Sequence, residues 1–312
     1  MESRLIWIDG KIVRDLDATV PVLSPTAQFG INVFEGLRGY YNASRSQIYV
    51  FRLDDHLERL EQSCKLAGLT PPFPPDRILE GIRAVVAANH YCGDIALRVT
   101  VFVGGEGSWF SSEPTGMFIA PVLKDRSDPT QMKGFAACTS TWTRISDRSL
   151  PPRVKLGANY INGRYAHLEA KRNGYDLPIL MGEDGKVSEG AGSCLFMVRK
   201  GVLITPPLTS SILESITRTT LFELARERGF AVEAREIDRS ELYICDEAFL
   251  CGSAAEVMAL TSLDRMAIGT GNVGPITRQL LADYLAAASG MTESHRGWLT
   301  PVLDTEPEGS LR

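Results

Sequence analysis

Short apolar runs separated by turn residues occupy the first fifty positions of the chain. The runs LIWID, KIV, VPVL and QIYVF, within residues 5–52, have the length of single strands. Turn-forming and polar residues lie between them, as they do between the strands of a meandering sheet. The pattern therefore predicts several strands of an antiparallel sheet at the start of the chain.

The period then changes to that of a helix. In LDDHLERLEQSCKLAG the apolar positions recur at Leu57, Leu60, Cys64 and Ala67, with Asp54 or Asp55 expected to cap the start and Gly68 the end. A second helix is predicted over DRILEGIRAVVAAN, followed by the strands ALRVTVFVG and MFIAPVL. Together these elements predict a small N-terminal α/β domain, residues 1–123.

A polar segment without periodicity, KDRSDPTQMKG at 124–134, is the predicted linker. Beyond it, strands and helices are mixed, with strands in FAACTSTW, LPILMG, SCLFMV, VLITP, AVEAREI, EAFLCG and MAIG and helices in NYINGRYAHLEAKRNG, ILESITRTTLFELARERG and PITRQLLADYLAAAS. This order predicts an α+β protein whose larger domain spans residues 135–312.

Composition narrows the class of protein. The 312 residues are 44% hydrophobic and 23% charged, with a formal charge of −5 and no run of Lys or Arg, which argues against a nucleic-acid or membrane partner. No stretch of about 18 apolar residues and no signal-like N-terminus is present, so a cytoplasmic enzyme or binding protein is expected. The six cysteines are dispersed and form neither a zinc motif nor a disulfide framework, so no metal is predicted.

One lysine has unusual neighbours. Of the eight lysines, Lys155 alone lies among apolar and small residues, in VKLGANYINGRYA just before a predicted helix. Such a lysine can extend its amine to water along an apolar surface. Alternatively, it can be a desolvated nucleophile that forms a Schiff base with a carbonyl group. The residues around Lys155 leave both interpretations open.

Several motifs in a fixed order add to this interpretation. The stretches FGINVFEGLRGY, VKLGANYINGRYAHLEAKRNGYD, GKVSEGAGSCLFMVRKGVLITPPLTSSILESITR, CDEAFLCGSAAEV and IGTGNVGPIT follow one another along nearly the whole chain. In this order they resemble the fold-type-IV aminotransferases, which use pyridoxal 5′-phosphate (PLP), and in particular the branched-chain amino-acid aminotransferase group. The resemblance implies the two-domain fold of D-amino-acid aminotransferase-like enzymes, with a larger β-barrel-like domain and the cofactor in the cleft.

The resemblance also implies roles for individual residues. Lys155 would carry the cofactor and move the proton, and Glu189 would keep the pyridine nitrogen protonated. Tyr160 would bond the phenolate oxygen. The phosphate would be bound by Arg59, Ile216, Thr217 and Ser253. Without the resemblance, Glu189 could equally be a solvated turn residue and Arg59 a solvated helix residue.

On the substrate side, the resemblance implies a pocket lined by residues of both domains. These are Phe29, Phe34, Arg38, Ala96, Arg98, Trp109, Ser253, Ala254 and Ala255, with Glu35 a structural neighbour. Phe29 and Ala96 stand where the branched-chain group has tyrosines, and Cys194 stands where it has asparagine. These changes remove polar groups from the site and leave the identity of the amino donor open.

The predicted function is a ping-pong aminotransferase. An apolar, branched-chain L-amino acid would donate its amine through a Lys155 Schiff base, and a 2-oxo acid, with 2-oxoglutarate expected, would accept it. The resemblance implies a homodimer in which the loop carrying Trp109 approaches the neighbouring subunit's pocket. Alternatives are a lyase of the aminodeoxychorismate type, a D-amino-acid or amine transaminase, and a homologue that binds a ligand without catalysis.

Overall fold

The protein is described by a computed structural model of residues 4–303, which form two compact units. The first unit contains the described residues up to Arg126 and those from Ala286 onward, and the second contains Ser127–Leu285. The predicted linker contains the boundary between Arg126 and Ser127. The described residues from Ala286 to 303, by contrast, lie in the first unit, whereas the sequence pattern placed them in the larger domain.

The first unit is built on a seven-stranded sheet in the order β16-β4-β3-β5-β6-β1-β2. Its strand pairs are all antiparallel. The strands are β1 Leu5–Ile8, β2 Lys11–Arg14, β3 Asn32–Asn42, β4 Gln47–Phe51, β5 Ile95–Val103, β6 Thr115–Leu123 and β16 Leu299–Pro301. The pairing of β16 with β4 explains why the C-terminal segment belongs to this unit: its backbone extends the first sheet.

Three helices accompany this sheet: α1 Pro25–Phe29, α2 Leu53–Ala67 and α3 Pro75–Ala88. In α2 the predicted apolar positions Leu57, Leu60 and Cys64 are buried. Gly68 ends this helix in the left-handed conformation that glycine adopts without strain. Gly81 lets α3 approach the sheet, because a Cβ there would lie 2.9 Å from atoms of both Trp7 and Ile119.

The second unit is built on a mixed nine-stranded sheet in the order β12-β11-β10-β13-β14-β7-β8-β9, with β15 paired to β14. Its strands are β7 Gly134–Thr143, β8 Leu177–Met181, β9 Val187–Gly190, β10 Cys194–Arg199, β11 Val202–Thr205, β12 Ala231–Ala234, β13 Glu247–Gly252, β14 Glu256–Leu263 and β15 Met266–Ala267. The pairs β7–β8, β7–β14 and β11–β12 are parallel and the others antiparallel. Apolar side chains from these strands form one buried core.

The remaining helices are α4 Tyr160–Arg172, α5 Ile216–Glu227, α6 Arg239–Leu242 and α7 Pro275–Ala288. None of the helices within residues 4–303 has the length and apolar character needed to cross a bilayer. An antiparallel sheet in the first unit and a mixed sheet in the second, each accompanied by helices, make this an α+β fold, as the sequence predicted.

Two local predictions are wrong, and several strands were not predicted. VPVL forms no strand, because residues 20–23 lie in the loop before α1, where Val22 and Leu23 are exposed. Neither Asp54 nor Asp55 caps α2; Arg52 occupies the N-cap and both acids lie in the first turn, where the helix dipole favours them. Strands β3, β9, β14 and β16 were missed; in β3 and β9, Gly and polar residues interrupt the apolar pattern.

Candidate active site

Lys155 lies in a loop that is fixed immediately before helix α4. The Asn159 side chain donates to the carbonyls of Pro151 and Val154, each at 3.1 Å, so it closes the loop around the lysine. Lys155 is half-buried, and its Nζ donates to the Oη of Tyr160 at 2.7 Å. A local hydrogen bond therefore holds the amine beside a phenol at the start of α4.

Glu189 is a buried carboxylate on strand β9 with three contacts of unequal strength. Its Oε1 lies 2.8 Å from Nη2 of Arg144 and accepts from the backbone N–H of Leu213 at 3.3 Å. Its Oε2 accepts only from the Cys194 thiol, at 3.6 Å, among residues 4–303. Burial raises the pKa of Glu189 above its ordinary value, although the positive charge of Arg144 and the Leu213 N–H oppose that rise.

Two glycines bring α4 close to the turn that follows Glu189. A Cβ at Gly163 would lie 2.2 Å from the carbonyl oxygen of Ala191, and one at Gly192 would lie 3.5 Å from the Tyr160 ring. The positive charge of Lys155 also acts on the Glu189 carboxylate and, after Arg144 and the Leu213 N–H, opposes the rise in its pKa that burial causes. Lys155, Tyr160 and Glu189 therefore belong to one site in the second unit.

The start of helix α5 borders the same site. Ser215 is the N-cap, and its hydroxyl accepts from the N–H of Arg218. Ile216 and Thr217 form the first turn, where backbone N–H groups have no acceptor within the helix. Leu213, just before this turn, contacts Glu189. The beginning of α5 is therefore placed to bind an anion near the carboxylate.

A tight turn at the end of β13 contains Ser253, Ala254 and Ala255. The N–H of Ala255 donates to the carbonyl of Gly252 at 3.0 Å, which closes the turn. Cys251, two residues before Ser253, pairs with Cys194 where β10 and β13 run side by side. The turn therefore adjoins the strand that follows the Glu189 turn, so all eight predicted residues of the second unit lie at one end of its sheet.

These groups match the three functional parts of PLP. An amine such as that of Lys155 can condense with its aldehyde, and a buried carboxylate such as Glu189 can accept from its protonated ring nitrogen. Helix amides with a buried hydroxyl, here those of Ile216 and Thr217, suit its phosphate. The residues present therefore fit this cofactor.

In the first unit, Arg59 belongs to a compact ion cluster. Its Nε and Nη2 donate to the two carboxylate oxygens of Glu35 at 2.8 and 2.7 Å, and His56 Nδ1 lies 2.7 Å from Glu35 Oε2. Burial raises the pKa of Glu35, but the charge and hydrogen bonds of Arg59, with those of His56, outweigh burial and lower it to about 2. The solvated alternative for Arg59 is wrong, since it is almost fully buried.

Four other predicted residues share one face of the first sheet. The β3–β5 register pairs Arg38 with Ala96 and Gly36 with Arg98, so Phe34, Arg38, Ala96 and Arg98 all point the same way. The Arg98 guanidinium stacks 4.1 Å from the Phe34 ring centroid. Arg38 is buried and donates to the carbonyls of Lys124 and Asp125. Phe29 ends α1 and Trp109 lies in a loop, both exposed.

Sequence reasoning missed Arg144 altogether. It lies directly after β7, and neither its spacing nor its neighbours distinguish it from the other arginines. Its importance comes from the tertiary ion pair with Glu189, which no local pattern encodes. His56, which no sequence pattern singles out, is part of the Glu35 cluster.

Comparisons of the sequence with a family profile and with known proteins all point to one family. A profile of the family described as "Amino-transferase class IV" matches residues 32–263. The branched-chain-amino-acid aminotransferase of Salmonella typhimurium is 36% identical over 302 residues, which cover 95% of this chain and 97% of the relative. That of Pseudomonas aeruginosa is 36% identical over 304 residues, covering 96% and 97% of the two chains.

Solved structures are similar over the same length. The branched-chain amino acid aminotransferase of Thermobaculum terrenum in its PLP form is 43% identical with a TM-score of 0.90, covering 96% of this chain and 98% of that one. The branched-chain aminotransferase of the archaeon Thermoproteus uzoniensis, solved with norvaline, is 35% identical with a TM-score of 0.90, covering 96% and 99% of the two chains.

Proposed function

Because this chain belongs to the class IV aminotransferases and is a PLP enzyme of fold type IV, we propose that it moves the amino group of a branched-chain or other apolar L-amino acid to a 2-oxo acid. The expected acceptor is 2-oxoglutarate, and the expected order is ping-pong. The observation that carries the proposal is the grouping of the Lys155 amine, the buried Glu189 carboxylate and the start of α5 at one end of a sheet.

PLP, when bound, supplies an aldehyde that condenses with amines and a ring that accepts electrons from the substrate α-carbon. In the proposed mechanism the Lys155 amine would hold the cofactor through its aldehyde group, and as a free amine it would take the proton from the substrate α-carbon and return it to the cofactor's C4′. Tyr160, bonded to the lysine Nζ at 2.7 Å, orients this amine. One side chain thus tethers the cofactor and transfers the proton.

Glu189 has a different task in this proposal: its carboxylate holds a proton at the ring nitrogen. The amides and hydroxyl of Ile216 and Thr217 bind the phosphate, and the Ser253 hydroxyl assists. The turn at Ser253, Ala254 and Ala255 offers backbone N–H groups to the substrate carboxylate. The first-unit residues keep their implied roles as predictions; these are Arg59 for the phosphate and Phe29, Phe34, Arg38, Ala96, Arg98 and Trp109 for the substrate.

The choice of donor is supported by the relatives, whose names specify branched-chain amino acids. By the family resemblance, Phe29 and Ala96 stand in place of tyrosines of the branched-chain group, which implies a pocket with fewer hydroxyl groups and, at Ala96, more volume. Such a pocket suits bulky apolar side chains. The same two residues keep a D-amino-acid or amine transaminase, or a lyase, as the alternative. We further propose that the protein acts as a cytoplasmic homodimer.

The test is a set of half-reactions with the purified holoenzyme. L-leucine, L-isoleucine and L-valine should convert the PLP form to the pyridoxamine form, which 2-oxoglutarate should convert back, as followed by absorbance. D-amino acids and primary amines without a carboxylate are the comparison substrates. If only these react, or if the product is not the 2-oxo acid of the donor, the proposed substrate class is wrong.

A further inference from the structure

Arg144 contacts Glu189 but has no task in the proposed mechanism. Its guanidinium is nearly buried, and Glu189 is its one carboxylate partner in the described part of the chain. Its Nε has no hydrogen-bond partner among residues 4–303. A buried cation is costly unless a nearby anion compensates it, so Arg144 and Glu189 depend on each other electrostatically.

Helix α4 fixes the position of Arg144. The side-chain oxygen of Asn162, on α4, accepts from the backbone N–H of Ile145 at 3.3 Å and lies 3.4 Å from Arg144 Nη1. The Asn162 amide nitrogen donates to the carbonyl of Thr143 at 2.9 Å. Asn162 therefore forms hydrogen bonds with the backbone on both sides of Arg144. Since Tyr160 opens the same helix, the elements that hold Lys155 and Glu189 are linked through Arg144.

The two carboxylate oxygens of Glu189 also have partners of unequal strength. Oε1 takes both the Arg144 ion pair and the Leu213 N–H, whereas Oε2 has only the thiol of Cys194 within the described residues. A thiol is a weak donor, and burial raises the pKa of Cys194 well above its ordinary value, so the thiol is neutral. Oε2 therefore keeps a lone pair that can accept from a stronger donor.

We propose that Arg144 is a positioning residue for the cofactor: it keeps the Glu189 carboxylate charged and fixes it through Oε1, so that Oε2 is available to a protonated ring nitrogen. This inference rests on the proposed function of the site. Without Arg144, burial would favour the neutral acid, which cannot hold a second proton at the nitrogen. Arginine suits this task because its planar group restricts the direction of the contact.

The test is a double-mutant cycle on PLP binding, measured by titrating apo-protein with PLP. Arg144→Met should raise the PLP Kd about tenfold or more, as expected for the loss of a charge-assisted interaction. In a Glu189→Gln background the same substitution should change Kd by less than about twofold, because its effect acts through the carboxylate. Arg144→Lys keeps the positive charge but loses the planar guanidinium group, so its PLP Kd should lie between those of wild type and Arg144→Met.

Arg148→Met is the matched control, since Arg148 is highly exposed and lies 3.8 Å from Glu183. It should leave Kd unchanged. A merely structural role for Arg144 would lower the unfolding free energy of apo-protein and weaken PLP equally in both backgrounds, and that result overturns the proposal. If Arg144→Met does not fold, Arg144→Lys is carried through the same cycle.

These binding measurements need no amino donor, so they are separate from the test of function. A wild-type protein that binds PLP but transaminates no L-amino acid would overturn the proposed substrate class and leave the Arg144 result valid. Conversely, normal half-reactions in wild type with an unchanged Kd in Arg144→Met would overturn the Arg144 proposal alone.

Discussion

Two buried glutamates, one in each unit, each lie beside an arginine, and yet their pKa values are shifted in opposite directions. Glu35 accepts two hydrogen bonds from Arg59 and lies beside His56, and its pKa falls to about 2. Glu189 has one arginine contact, one amide and a thiol, and its pKa is raised. Both carboxylate oxygens of Glu35 have strong hydrogen-bond donors within its own unit, whereas Glu189 Oε2 can still accept a hydrogen bond from a ligand. A buried carboxylate that can still accept a hydrogen bond is thus a better sign of a site than burial itself.

The largest expected effect comes from neutralising Glu189. Glu189→Gln should lower the half-reaction rate with L-leucine by about a hundredfold or more, because the ring nitrogen loses its charged partner. The unfolding free energy of apo-protein should change much less. Stopped-flow absorbance and urea unfolding measure the two quantities, and a rate within a few-fold of wild type would contradict the role of Glu189.

Neutralising Glu35 should act mainly on the stability of the protein. Glu35→Gln leaves the buried Arg59 cation without its bidentate partner, so unfolding free energy should fall by about 3 kcal/mol or more. Urea unfolding of apo-protein checks this. Glu58→Gln, on the exposed side of α2, is the matched control and should stay within about 0.5 kcal/mol. Equal stability of the two variants would show that the cluster is not structural.

Acid titration should separate the two glutamates further. Glu35 has its pKa lowered from 4.5 to about 2 in the folded protein, so its contribution is complete above about pH 4.5 and is lost as pH falls through 2. The difference corresponds to about 3 kcal/mol. Glu189, whose pKa is raised, makes no such contribution, because its ionisation costs stability in the folded state.

Unfolding free energies measured between pH 2 and 7 test this. The decline between pH 4.5 and pH 2 should flatten in Glu35→Gln and persist in Glu189→Gln. A decline that flattens only in Glu189→Gln would reverse the assignment of the two carboxylates.

The smallest expected effect concerns Cys194. Cys194→Asn replaces the thiol beside Glu189 Oε2 with a stronger donor, which should lower the pKa of Glu189 and change the PLP Kd by about threefold or less. Cys138→Ser, another buried cysteine of the second unit, is the control for thiol loss. A loss of PLP binding comparable to that of Arg144→Met would show that the thiol matters more than its geometry indicates.

Much of the fold was predictable because its periodicity is local. The apolar positions and terminal Gly68 of α2 define a helix without any tertiary information. VPVL misled because four apolar residues suffice for a strand pattern yet here remain exposed in a loop. The pairing of β16 with β4 was not predictable, since a three-residue strand carries little pattern and its partner is distant in sequence.

The site was predictable only in part. Lys155 has a distinctive sequence context, but Glu189, Thr217 and Ser253 acquired roles from the family resemblance rather than from spacing. Arg144 and the pairing of Arg59 with Glu35 depend on tertiary contacts that one sequence does not reveal. The residues that balance a buried charge are thus harder to find than those that react.

Every role proposed for the site depends on PLP binding to Lys155 in the second unit. Borohydride reduction of the holoenzyme, followed by proteolysis and mass spectrometry, locates the lysine that holds the cofactor. We expect a phosphopyridoxyl group on the peptide containing Lys155, and no such group in Lys155→Ala. A label on any other lysine, or no label on a PLP-saturated protein, would contradict it.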